Sequence, residues 1–149
     1  MMGRISQICS GLTIAAFSTF AFAAPGASVL SEHDLREACS NFSQAGMRDC
    51  LAKKATDSQS ALKRSEENAA KILSRWDEDD QYIRTAQGKL ARSNSVFEQY
   101  RDAQCEFSAS LSGGAAGNAH EIRRLACVAS LNGQRADELS NASSELARK

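Results

Sequence analysis

A single proline, Pro25, occurs in the whole chain, and nothing after it is barred from helix. Proline is the residue that removes an amide donor and clashes with the preceding turn, so its absence from residues 26–149 leaves long helices open. The apolar pattern uses that freedom. Leu51, Ala55, Leu62, Ala69, Ile72 and Trp76 form one stripe; Ile83, Ala86, Leu90, Phe97, Tyr100 and Phe107 form a second; Ile122, Leu125, Ala129, Ala136, Leu139 and Leu146 form a third. Intervals of three, four and seven place each set on one helix face. Alternation of the kind a strand needs is absent. The expected fold is all-α: a small bundle of three long helices plus a short N-terminal helix, with Trp76, Phe97, Tyr100 and Phe107 in its core.

The stripes are dilute. Ser58, Ser65, Ser93, Asn132 and Ser143 stand where a strong coiled coil places leucine. Such a core buries less apolar area, at about 25 cal/mol per Å², so covalent support is expected to matter. Breaks are legible around Asn41–Gly46, at the acidic run Asp77-Glu78-Asp79-Asp80, and at Ser108–Asn118, which contains Gly113-Gly114 and Gly117. A short helix is expected near Ser31–Ser40, where Ser31 followed by Asp34 resembles a capping box.

Residues 1–23 read as a signal peptide. A basic start at Arg4 precedes an almost uncharged run from Ile5 to Phe22, closed by Ala21-Phe22-Ala23 with a small-x-small cleavage site. Cys9 lacks the Leu-x-Ala/Gly lead of a lipoprotein. The expected mature product, residues 24–149, is one soluble helical domain in the periplasm or secreted, with no stable membrane insertion. It keeps all 18 acids and 17 of the 18 Lys+Arg. That balance speaks against nucleic acid, whose binders concentrate basic charge.

Four cysteines remain: Cys39, Cys50, Cys105 and Cys127. An even number in a small exported domain reads as two disulfides with three pairings open. Pairing Cys39 with Cys50 and Cys105 with Cys127 is favoured, because each closes a local loop around a turn. Neither Cys-x-x-Cys nor histidine at ligand spacing is present, so no metal and no cofactor is expected. A cysteine nucleophile would need a histidine base; His33 and His120 are the only histidines, and both read as surface residues. Gly113-Gly114 lacks the following Gly-Lys-Ser/Thr of a phosphate loop. No catalytic residue is assigned.

Leu90, Phe97-x-x-Tyr100-Arg101-Asp102-Ala103-x-Cys105, Gly113-Gly114, Cys127, Leu131, Arg135-Ala136 and Leu139 resemble the lysozyme inhibitor LprI N-terminal domain family. Cys39, Cys50-Leu51 and Leu62 are similar to its opening. This chain has Phe97 where the family usually has tryptophan and Asn94 where it has glutamine. Gln59 and Glu66 stand where it has aspartate and tyrosine. The resemblance implies a disulfide-bonded, non-enzymatic envelope domain whose partner is lysozyme or another peptidoglycan hydrolase. The other reading is a non-catalytic structural or assembly component of the envelope or of a secretion system. Lysozyme is basic and works with two carboxylates in a cleft, so Asp77, Glu78, Asp79 and Asp80, framed by Trp76 and Tyr82, are the expected docking surface. Their competing role is to favour the start of the second long helix through its dipole. Arg101, Asp102 and Arg135 are expected to make contacts between helices.

Overall fold

Ser31 opens the first helix in the computed structural model, which describes residues 29–115 and 117–148. Its hydroxyl accepts from the Asp34 amide, and the Asp34 carboxylate accepts from the Ser31 amide, the expected capping box. These Ser31 hydrogen bonds hold the Asp34 carboxyl below its ordinary range. Helix α1 is Glu32–Glu37, shorter than the expected span because the chain turns towards Cys39. Ser43 caps α2, Gln44–Leu73, by accepting from the Gly46 amide. Helices α3, Asp80–Ser110, and α4, Ala119–Leu146, complete an all-α fold with no strand among the described residues. The proposed signal segment lies outside these residues.

Cross-helix hydrogen bonds define the arrangement. Arg48 reaches Asn118, Asn132 reaches Ser58, and Ser65 meets Ser140, so residue numbers rise together and α2 and α4 run parallel. Arg101 meets Asn132 and Arg135 meets Ser93, so α3 runs antiparallel to α4. Helix α4 supplies much of the buried surface, through Ile122, Leu125, Ala126, Ala129, Ala136 and Leu139. Two apolar clusters result. One joins Leu35, Cys39, Leu51, Ala55, Ile122, Leu125, Ala126 and Ala129; the other joins Leu62, Ala69, Ala136 and Leu139, with Leu90 and Phe97 packed against it. Between them lies a polar layer containing Ser58 and the fully buried Asn132. Three of the polar gaps in the sequence stripes, Ser58, Ser65 and Asn132, thus become hydrogen bonds between α2 and α4.

Both disulfides have the favoured pairing. Cys39–Cys50, with Cα atoms 6.0 Å apart, ties the end of the α1 turn to α2; Cys105–Cys127, at 5.4 Å, ties α3 to α4 across the glycine-containing loop. Each closure removes about 3 kcal/mol of denatured-chain freedom in the chain-entropy account.

The aromatic core expected from the stripes is only partly present. Phe97 is half-buried against the Leu62–Leu139 cluster, whereas Tyr100 is 54% exposed and Phe107 58% exposed. The cause is helical rotation. Cys105 must face α4 to reach Cys127, and at 100° per residue Arg101 then lies only about 40° from it. Tyr100 lies about 140° away and Phe107 about 160° away, so both turn to solvent. Trp76 also departs from its stripe: α2 ends at Leu73, and Trp76 sits half-buried in the following turn.

Candidate functional site

Two regions carry the residues singled out in the sequence, and they differ in how their side chains are partnered. The first is the Phe97–Cys105 segment with Arg135. Arg101 leaves only 13% of its side chain in water. Its Nη1 donates to Gln59 Oε1 on α2 at 2.9 Å and to Asn132 Oδ1 on α4 at 3.2 Å. Its Nε and Nη2 donate to Asp102 Oδ1 at 3.0 and 2.8 Å, which fixes the guanidinium plane. Asn132 Nδ2 in turn donates to Ser58 Oγ and Gln59 Oε1, both at 3.2 Å. One guanidinium therefore joins three helices, as arginine's forked donors allow.

Arg135 makes a second such link. Its Nη2 donates to Ser93 Oγ at 2.8 Å and Asn94 Oδ1 at 3.3 Å on α3, and Nη1 donates to Glu138 Oε2 at 3.3 Å. The guanidinium carbon lies 5.8 Å from the Phe97 ring centroid, within cation–π range. Arg101 and Arg135 thus make the expected contacts between helices, with neutral amides and hydroxyls as acceptors, whereas Asp102 meets only Arg101 within α3; the ion pairs of both arginines stay within their own helices. Leu139 is buried beneath them, whereas Ala103 is exposed. Gln59 belongs to this network, and the only sequence signal for it was its departure from the family's usual aspartate.

Half-buried Glu66 lies in the field of the same arginines. Burial pushes its carboxyl up, Glu98 adds to that, and Arg135 and Arg101 pull it down. A raised folded-state pKa means the charged form opposes folding at neutral pH, and the penalty disappears once pH falls below the ordinary glutamate value. Glu66→Gln is therefore expected to raise the melting temperature at pH 7 and to lose that advantage below about pH 4. Melts across this range check the sign.

The second region is the acidic turn between α2 and α3. Asp79 is the N-cap of α3 by position, yet its side chain makes no capping hydrogen bond. Asp80 stands 3.7 Å from Arg84 one turn on. Asp77, Glu78 and Asp79 form no side-chain hydrogen bond or ion pair among the described residues. The helix dipole accounts for Asp79 and Asp80, which sit at the start of α3, but Asp77 and Glu78 precede the cap. These two border a groove of about 510 Å³ lined also by Ile72, Arg75, Trp76, Leu146 and Ala147. Parallel α2 and α4 end together here, which is why Leu146 meets residues some seventy positions earlier. Among the described residues, two carboxylates and the single cation Arg75 stand among apolar Ile72, Trp76, Leu146 and Ala147, so acid outweighs base in the lining, with exposed Tyr82 close by in sequence.

The histidines stand apart from both regions. His120 Nε2 lies 3.1 Å from the Gly113 carbonyl oxygen, and His33 is exposed on α1. Among the described residues no group of three His, Cys, Asp or Glu side chains is placed to hold a metal, and no helix is long and apolar enough to cross a membrane. A family model described as lysozyme inhibitor LprI matches residues 37–139, a span that includes both disulfides, both arginines and the acidic turn. No curated protein and no solved structure matches the chain.

Proposed function

This chain belongs to the lysozyme inhibitor LprI family, and from that premise we propose that it is a non-enzymatic, exported binding protein that blocks lysozyme or a related peptidoglycan hydrolase with its acidic turn. The observation that carries this reading is the position of Asp77 and Glu78, unpaired among the described residues and lining a groove with apolar Trp76 and Leu146 at one end of the bundle. Carboxylates held by no internal partner keep a net negative field for an incoming basic protein, reduced but not cancelled by Arg75 in the same groove. Such a field raises the association rate, and the apolar lining with Trp76 supplies contact area once the two surfaces meet.

Export is supported by the two disulfides, which persist in oxidising compartments such as the periplasm or the extracellular space. The remainder of the molecule is framework. Arg101, Arg135 and the disulfides fix α3 against α2 and α4, so the turn at the start of α3 is presented at a set angle. The inhibitor reading predicts that purified protein slows lysozyme-driven clearing of a cell-wall suspension in proportion to its concentration. Clearing at an unchanged rate, with envelope extract yielding a partner that is not a hydrolase, sinks it in favour of an assembly role.

A further inference from the structure

The outer face of α3 carries a second pattern. Val96, Tyr100, Ala103, Phe107 and Leu111, the last at the C-cap, recur at steps of four, three, four and four, and all are exposed. They form one line on the side of the helix opposite Cys105. The four large members are each more than half exposed. With about 150–250 Å² for each aromatic side chain, the line leaves on the order of 400 Å² of apolar surface in water, the size of the largest apolar patch on a monomer and of the kind that is often functional. Lys89 and Arg92 end it on the N-terminal side.

We propose that a second copy of this chain covers the line, with two α3 helices packed antiparallel about a two-fold axis between Arg101 and Asp102. The 4-3-4 spacing of Val96, Tyr100, Ala103 and Phe107 reads the same from either end. A two-fold axis at its midpoint sets Val96 of one copy against Phe107 of the other, and Tyr100 against Ala103. Each aromatic ring then faces a smaller side chain, the self-complementarity that a two-fold contact requires. Parallel packing would set Tyr100 against Tyr100 and leave Ala103 facing Ala103 across a gap. Ser93 and Gln104 on one flank are uncharged, and on the other, where Arg92 and Glu106 accompany Gln99 and Ser110, the antiparallel register sets Glu106 beside the other copy's Gln99 and Arg92 beside its Leu111, so no like charges meet along the edges.

The area sets the strength. About 400 Å² of apolar surface per copy, with its polar rim, reaches the lower end of the roughly 1,200–2,000 Å² total of a specific interface. The dimer is accordingly reversible, with a midpoint in the micromolar range. Its geometry also places the two acidic turns at opposite ends, about 70 Å apart along the paired helices. Each is free to engage its own target, so the pairing stands independently of the inhibitor reading.

Sedimentation velocity of the purified protein from about 1 μM to several hundred micromolar tests this. The expected result is a monomer that converts to dimer with concentration. Tyr100→Glu and Phe107→Glu should each raise the dissociation constant about tenfold or more. Ala103→Trp, which fills the space for the opposing tyrosine, should act alike, and Tyr82→Glu, on the same face but about five turns before Tyr100 and beyond the paired segment, should leave the dissociation constant unchanged. Circular dichroism confirms that each variant is folded, as exposed positions permit. A monomer at every concentration overturns the proposal, as does a dimer that Phe107→Glu leaves intact. It is equally overturned if the chain stays monomeric while Tyr100→Glu abolishes lysozyme inhibition, since the line then belongs to the hydrolase contact.

Discussion

Replacing Cys105 and Cys127 together with alanine is expected to lower unfolding stability by about 3 kcal/mol and the melting temperature by about 10 °C. The bridge spans 22 positions and closes the loop from the end of α3 to the start of α4. Loop length alone gives Cys39–Cys50 a similar worth, but the two bridges hold unequal partners. Helix α3 has only Cys105, Ser108 and Ala109 buried, so it depends on a few fixed points. Without the bridge, the rotation that turns Arg101 inward loses its strongest constraint. Urea unfolding of the double variant beside the parent measures the effect, and a loss below about 1 kcal/mol would show that packing alone sets α3.

Arg101→Ala is expected to cost about 2–3 kcal/mol, whereas Tyr100→Ala, its neighbour in the same motif, should cost under about 0.5 kcal/mol in dilute solution. Loss of the guanidinium removes a donor from the Oδ1 of Asn132, a residue with no exposed surface, and from Gln59 Oε1. It also removes the alkyl stem that closes the layer between the two apolar clusters. Arg101→Lys should recover only part of the loss, because an ammonium lacks the planar fork that reaches Gln59, Asn132 and Asp102 together. Chemical denaturation of the three variants gives the order. Equal losses for Arg101→Ala and Tyr100→Ala would contradict the placement of arginine inside and tyrosine outside.

That contrast also marks how far the sequence could be read. Four helices and their breaks were legible, since three-and-four spacing and a serine cap are local signals, and the cysteine pairing adopted is the one favoured among the three left open. Which side of α3 turns inward was not, because Tyr100 and Arg101 follow Phe97 at three and four residues and either completes a helical stripe. Tertiary geometry decides it: Cys105 facing Cys127 selects arginine, and the polar Asn132 opposite accepts its donor. The polar gaps looked like weakness in the stripes, yet Ser58, Ser65, Ser93 and Asn132 are points where helices bond to one another. The acidic run was visible as composition. Its groove was not, because it needs the ends of α2 and α4 to coincide, and that follows from their parallel packing.

The family motif sets the rotation of α3, and the turn before α3 carries the unpaired charge on which the proposed recognition rests. The most direct test is the association rate of lysozyme with the immobilised protein, measured at low and at physiological salt, for the parent and for Asp77→Lys/Glu78→Lys. Neither side chain has an internal partner among the described residues, so the exchange leaves the helices intact. The parent should bind with a rate that falls as salt rises, and the variant should associate about tenfold more slowly at low salt. Equal rates for the two proteins at low salt would contradict the account.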